Sequence, residues 1–181
     1  NMGTGSQIVT QVKSIKENNF EKRSYFNDKF LDVFTHFPCG RAISFYINLL
    51  NSQSPIDYWD ELNRLNVEEI LSSKPVNLSI FRSADNYRKI KNDNFLNKSH
   101  SENLLLLNGL MNSLVRQYSF GIKEALLYNN INKIILAGGV AHKLDFMEDL
   151  FKRYYSIETE KIYKEDETIL GIKNIIKSMP L

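Results

Sequence analysis

The sequence predicts one layered α/β domain of 181 residues, a length that allows a sizeable core. Two observations support this prediction. Near the start, residues 8–13 alternate between two faces at the spacing of a β-strand. From residue 101 onward the pattern is helix, strand, glycine turn, helix, strand and helix, which is the alternation typical of α/β domains.

The first half of the chain predicts a hairpin followed by helices. Short β-like runs at residues 24–26 and 30–37 flank Asn27-Asp28, a pair that favours a turn. Pro38-Cys39-Gly40 ends this pattern, and helices are predicted over residues 42–51 and 58–71. Residues 75–84 are predicted to be extended, and residues 86–98 to form a polar loop.

The second half is predicted to begin with a long helix from Ser101 to about Tyr128, with Ser101 or Asn103 as its cap. The Ile-rich residues 131–137 predict a buried strand in parallel pairing. A helix at residues 144–154, a short strand at 156–162 and a final helix at 167–179 complete the predicted domain.

Composition excludes several classes of protein. The 23 basic and 21 acidic residues leave a net charge of +2, which is too balanced to indicate nucleic-acid binding. No apolar run approaches the ~18 residues of a membrane helix, and residues 1–12 lack the pattern of a signal peptide. The single cysteine, Cys39, excludes an internal disulfide framework and indicates a reducing compartment. We therefore expect a cytoplasmic protein that binds neither nucleic acid nor membrane.

Two glycine turns are the candidate sites. Gly3-Thr4-Gly5-Ser6 suits a nucleotide phosphate, because glycine lets backbone N–H groups approach an anion and a hydroxyl can add a hydrogen bond. Gly138-Gly139 lies between a buried strand and a helix, where α/β sheets bind ligands. Taken singly, a plain β-turn and tight strand-to-helix packing explain these two turns as well. His142, beside the second turn, is expected to contact a ligand rather than to act in catalysis.

Taken in order, these segments resemble the C-terminal domain of the FGGY carbohydrate kinases. Residues 1–7 (Asn-Met-Gly-Thr-Gly-Ser-Gln) resemble the second phosphate turn of that family. Residues 136–141 (Leu-Ala-Gly-Gly-Val-Ala) resemble its adenosine turn, with Val140 in place of a third glycine, and residues 166–172 resemble its closing segment. Within the family, residues 23–31 are most similar to the hairpin of the sedoheptulokinases.

The resemblance implies a ribonuclease-H-like fold of the actin-like ATPase type, a mixed sheet flanked by helices. Residues 1–181 would form the C-terminal, ATP-binding domain of a two-domain kinase that phosphorylates a sugar or polyol, such as a sedoheptulose-like ketose. Asn1-Met2 would be the end of a strand that feeds the first turn, and the sequence before it, including the N-terminal domain, would lie outside this chain.

The same resemblance implies the site residues. Gly3, Thr4 and Gly5 would line the phosphates of ATP. The adenosine would be supported by residues on and after the second turn: Gly138, Gly139, Val140, Ala141, Leu144 and Met147. The catalytic base and most Mg²⁺ ligands would belong to the other domain, so the chain alone is expected to be inactive and to bind ATP weakly. Homodimerisation is left open.

Three alternatives stay open. A BadF-type ATPase or a ROK-type regulator shares the fold, but those proteins often carry cysteine ligands, which the single Cys39 argues against. A catalytically inactive, kinase-like protein that binds nucleotide or a partner is compatible with Val140 and with Cys39-Gly40-Arg41 at positions where the family has small residues. In the third alternative the chain is a structural interaction domain, and both glycine turns are only turns.

Overall fold

The structure is a computed structural model that describes residues 1–14, 20–25, 28–78 and 99–162. The strands among these residues are β1 (Gly5–Val12), β2 (Glu21–Tyr25), β3 (Lys29–Pro38), β4 (Lys133–Leu136) and β5 (Glu158–Lys161). The helices are α1 (Gly40–Asn51), α2 (Tyr58–Asn63), α3 (Val67–Ser72), α4 (His100–Arg116), α5 (Ser119–Tyr128), α6 (Gly139–Lys143) and α7 (Met147–Tyr155). Helices flank two small sheets, so the predicted α/β class is confirmed.

The first sheet has β3 at its centre, paired antiparallel with β1 on one side and with β2 on the other. The predicted hairpin is therefore confirmed. The alternation predicted for β1 is confirmed as well, since Val12 is buried while Val9 is exposed. Ser6 pairs with Phe37 and Ile8 with Phe34, so a bulge of one residue lies in β3 and β1 keeps its regular alternation.

The helix predicted at residues 42–51 is α1, and its apolar face lies in the centre of the core, where Ile43 and Ile47 are fully buried. The single helix predicted over residues 58–71 is wrong, because α2 and α3 replace it. Asn66 starts the second of these helices: its side-chain oxygen accepts a hydrogen bond from the N–H of Glu68 at 2.8 Å. A capped start of this kind favours a new helix over continuation of the previous one.

The long helix predicted from Ser101 begins one residue earlier and is broken. Ser99, rather than Ser101 or Asn103, is its cap, in a capping box with Glu102. The break lies where the Gln117 side chain donates a hydrogen bond to the carbonyl oxygen of Pro38 at 2.6 Å, which ties the end of α4 to β3. The apolar stripe continues across the break, since all of the following residues are buried: Leu107, Met111, Leu114, Tyr118 and Ile122.

The second sheet consists of β4 and β5 in parallel, so the predicted parallel pairing is confirmed. The predicted burial of this strand is wrong for Ile135, whose side chain is 57% exposed. In the described part of the chain β4 pairs with β5 alone. The helix predicted at residues 144–154 is α7, and the short helix α6 precedes it.

Several predictions fall on parts of the chain that the structure covers only partly. Residues 75–78 form no strand, and the remainder of the predicted extended stretch lies outside the described residues. Asn27, the loop predicted at residues 86–98, the helix predicted at 167–179 and the segment at 166–172 also lie outside the described residues. None of the helices in the described ranges has the length and apolar character needed to cross a lipid bilayer.

Candidate functional site

The first residues of the chain join the two sheets. The amino group of Asn1 donates a hydrogen bond to the carbonyl of Gln7 in β1 at 2.9 Å, and the N–H of Gln7 donates to the carbonyl of Asn1 at 3.0 Å. The N–H of Met2 donates to the carbonyl of Ala137 at 2.6 Å, and the carbonyl of Met2 accepts from the N–H of Val140 at 2.9 Å. The two glycine turns, which lie far apart in the sequence, therefore meet through their backbones.

The start of α1 is the third part of this contact. The N–H of Gly40 donates to the carbonyl of Gly3 at 3.0 Å, and the N–H of Arg41 donates to the carbonyl of Thr4 at 2.9 Å. A Cβ atom at Gly40 would lie only 2.7 Å from the carbonyl oxygen of Gly3, so glycine is required for this approach. We call residues 1–4, 40–41 and 138–140 together the turn junction.

The two glycines of the second turn differ in whether the fold requires glycine at that position. Gly138 has a φ of 95°, and a Cβ there would lie 2.9 Å from the backbone nitrogen and carbonyl carbon of Met2. Gly139 has no such constraint, because a Cβ there would meet no atom of the described residues within 4 Å. The fold therefore requires glycine at Gly138, whereas the space beside Gly139 is open to solvent.

The outer side of the turn junction carries the groups that a ligand could reach. Thr4, Gly5, Gly139 and Arg41 are all exposed there. The backbone of Arg41 lies beside the first turn, because its N–H donates to the carbonyl of Thr4, and its exposed side chain carries a positive charge. Arg41 was not predicted as a candidate, and the only signal for it in the sequence is its place directly after Cys39-Gly40.

A buried layer beneath the junction supports it. The hydroxyl oxygens of Ser6 and Tyr118 are 2.6 Å apart, and both residues are buried, so Ser6 is not available to a phosphate. Burial raises the pKa of the Cys39 thiol to about 11 and raises the pKa of Tyr118 well above its ordinary value. Both groups are therefore neutral near pH 7, and this layer stabilises the junction without adding charge.

Three of the residues predicted to lie near an adenosine belong to the core. Ala141, Leu144 and Met147 have no exposed surface, so their side chains hold α6 and α7 from beneath. The last residue of α6, Lys143, places its ammonium 3.5 Å from the ring centre of Trp59, a cation–π contact that fixes α6 against α2. A contact of these three side chains with an adenine ring stays a prediction.

Asp28, Asp32 and Asp145 all lie outside the turn junction. Asp32 is buried in β3, with its carboxylate 2.7 Å from the ammonium of Lys22. The carboxylate of Asp145 is 3.5 Å from the ammonium of Lys161, and Asp28 lies in the hairpin turn. Across the described ranges, no group of three or more His, Cys, Asp or Glu side chains is placed to hold a metal ion.

The structure thus brings together most of the residues predicted from the two turns. Gly3 and Thr4 lie against Gly40, and Gly138 and Val140 lie against the residues that precede Gly3. Comparison with protein families, with curated proteins and with solved structures finds no match for this chain.

Proposed function

We propose that the chain binds an adenine nucleotide at the turn junction and acts as the ATP-binding domain of a carbohydrate kinase with a ribonuclease-H-like, actin-like ATPase fold. The observation that supports this most strongly is the direct backbone contact between the two glycine turns, through Met2, Ala137 and Val140. A nucleotide needs one surface for its phosphates and another for its adenosine, close enough to be bridged by one molecule. Two turns on unconnected faces would not meet that requirement.

The exposed groups suit the two ends of such a ligand. Thr4 and Gly5 are exposed and offer backbone and a hydroxyl to a ligand. Arg41, whose backbone N–H is bonded to Thr4, carries a permanent positive charge on an exposed side chain, which favours phosphate. Gly139 leaves open space over the start of α6, where a flat ring or a ribose can approach the backbone. The phosphates would therefore lie over the first turn and the adenosine over the second.

The chain's part in phosphoryl transfer is to position the nucleotide. Bound ATP–Mg²⁺ would supply the γ-phosphoryl group, whose transfer requires orientation and charge stabilisation more than covalent assistance. Arg41 and the backbone of Thr4 and Gly5 would orient the phosphates, and the buried layer under the junction keeps those groups in place. No residue of this chain is assigned as the catalytic base, and the sugar would be held chiefly by the other domain of the kinase.

The test is the substitution Gly139→Val with a thermal-stability readout. Because a Cβ at this position would meet no atom of the described residues within 4 Å, the variant should unfold at the temperature of the parent when no nucleotide is present. At ATP–Mg²⁺ or ADP concentrations of about ten times the Kd, binding should stabilise the parent by about 1.4 kcal/mol, roughly 3–6 °C in Tm. The variant should lose this increase, since its side chain fills the space over the start of α6.

A matched control is Asn48→Val, which also places a valine on an exposed helical position, but on α1 beyond the junction. It should keep the full nucleotide-dependent increase. No stabilisation of the parent by either nucleotide would contradict the proposal and favour a structural domain. An unchanged increase in Gly139→Val would place the nucleotide elsewhere. A full-length protein that binds ATP at this site but phosphorylates no sugar would point to the inactive, kinase-like alternative.

A further inference from the structure

The exposed face of α6 runs from the open space at Gly139 to Lys143. These two residues are four positions apart, so they lie on the same side of the helix, about one turn from each other. Both are exposed, whereas Ala141 between them is fully buried in the core. A molecule that rests over Gly139 and extends along α6 therefore reaches the side chain of Lys143.

Trp59 gives the charge of Lys143 a defined position. The ammonium of Lys143 lies 3.5 Å from the ring centre of Trp59, which belongs to the first turn of α2. Trp59 is partly buried and packs against the core, so its ring is held in place. A cation–π contact attracts the ammonium to the ring, and it restricts a side chain that is otherwise long and flexible.

The contact with Trp59 leaves hydrogen-bonding capacity on the ammonium. A lysine ammonium has three N–H donors and no acceptor, and a ring face cannot engage all three. Among the described residues Lys143 forms no ion pair, and the carboxylate of nearby Asp145 lies 3.5 Å from a different ammonium, that of Lys161. Lys143 can therefore donate to a neutral acceptor on a ligand.

We propose that Lys143 recognises the base of the bound nucleotide by donating a hydrogen bond to a ring nitrogen of a purine. Trp59 is the positioning residue that holds the ammonium for this contact. The inference rests on the proposed nucleotide site and adds base recognition to it. With the ribose over Gly139, the base extends along the exposed face of α6, and its outer edge meets Lys143.

The length of the base and the position of its acceptors determine which nucleotides suit this contact. A purine has a second ring, which carries the base edge farther along α6 than a pyrimidine does. Adenine and guanine both have the acceptor N7, and guanine has the acceptor O6 beside it. Lys143 should therefore select purines over pyrimidines without selecting adenine over guanine.

The test compares nucleotides in calorimetric titrations of the parent and of Lys143→Met, which keeps an unbranched side chain but removes the charge and the donors. The nucleotides are ADP, GDP, CDP and the 1-deaza, 3-deaza and 7-deaza analogues of ADP, each of which lacks one ring nitrogen. In the parent, GDP should bind about as tightly as ADP, whereas CDP and one deaza analogue should bind about tenfold more weakly. Lys143→Met should bind ADP as weakly as that analogue, and it should bind the analogue as the parent does.

Trp59 provides a second, independent measurement. Trp59→Leu should weaken ADP binding by about two- to fivefold and reduce the preference for ADP over the sensitive deaza analogue, whereas Trp59→Phe, which keeps a ring face, should retain that preference. Trp59 is the only tryptophan of the sequence. Its fluorescence should change when ADP draws the ammonium toward the base, and this change should be absent in Lys143→Met.

Lys152→Met is the matched control, because it removes an exposed lysine from α7, and it should leave every Kd unchanged. If ADP binds the parent but all ratios between nucleotides are the same in Lys143→Met, the base contact is refuted and the nucleotide site stands. An equal loss for every nucleotide, CDP included, would also refute the base contact, because Lys143 would then act on the phosphates or on the fold. If neither ADP nor GDP binds the parent, the nucleotide site and the base contact both fail.

Discussion

Changing Gly138 to alanine should destabilise the protein by about 2–6 kcal/mol. The backbone of Gly138 has φ 95° and ψ 164°, a region essentially restricted to glycine, and holding another residue there costs about 1–3 kcal/mol. The new Cβ would also lie 2.8 Å from the side-chain oxygen of Asn1 and 2.9 Å from two backbone atoms of Met2. The N–H and the carbonyl of Met2 are both hydrogen bonded, so a shift of Met2 would break these bonds. Overpacking of this kind costs about 1–3 kcal/mol more.

Urea denaturation followed by circular dichroism measures this loss as a lower midpoint with an unchanged slope. The adjacent substitution Gly139→Ala is the control, because its Cβ would meet nothing within 4 Å in the described part of the chain and alanine is a good helix former. It should leave the unfolding free energy unchanged or raise it by up to about 1 kcal/mol. A loss of less than about 1 kcal/mol for Gly138→Ala, or equal losses for the two variants, would refute the close approach of Gly138 and Met2.

Two further predictions concern the charge beside the junction and the layer beneath it. Arg41→Ala should raise the Kd for ATP by about 10- to 150-fold in calorimetric titrations, since a hydrogen bond to a charged phosphate contributes about 1.5–3 kcal/mol. Arg64→Ala, which removes an exposed, Glu61-paired arginine, should not change the Kd, and equal effects would exclude a phosphate contact for Arg41. Burial raises the pKa of Cys39 from 9.0 to about 11, so above pH 9 the unfolded thiol loses its proton while the folded thiol keeps it. Stability should therefore fall by about 2 kcal/mol between pH 9 and pH 10.5 in urea denaturation, a loss that Cys39→Ala should lack; parallel pH profiles would contradict the burial effect.

Local patterns in the sequence predicted most of the secondary structure, but they contain no contacts between residues that are distant in the chain. The alternation of β1 and the apolar face of α1 are properties of neighbouring residues, and both are confirmed. The break after α4 depends on a hydrogen bond from Gln117 to Pro38, which no local pattern contains. The division of residues 58–71 did have a local signal, because Asn66 followed by Glu68 and Glu69 is typical of a helix start.

The site was predictable only in part, because it too depends on contacts between residues that are distant in the sequence. Glycine marks where a backbone turns or comes close to another group, so both turns could be found in the sequence. Their contact could not, since it depends on Met2 reaching Ala137 across the fold. Arg41 was missed because its position beside Thr4 exists only once α1 packs on the first turn. The burial of Leu144 and Met147 likewise follows from the packing of α7.

Asn1 and Met2 link the second glycine turn to the first sheet. Asn1 is hydrogen bonded to Gln7 in β1, Met2 is hydrogen bonded to Ala137 and Val140, and the same two residues provide the atoms that a Cβ at Gly138 would strike. The backbone beside Gly139 is therefore held by the pairing of the first residues with β1. A nucleotide bound over Gly139 would not have to order the first turn itself, which lowers the entropic cost of binding.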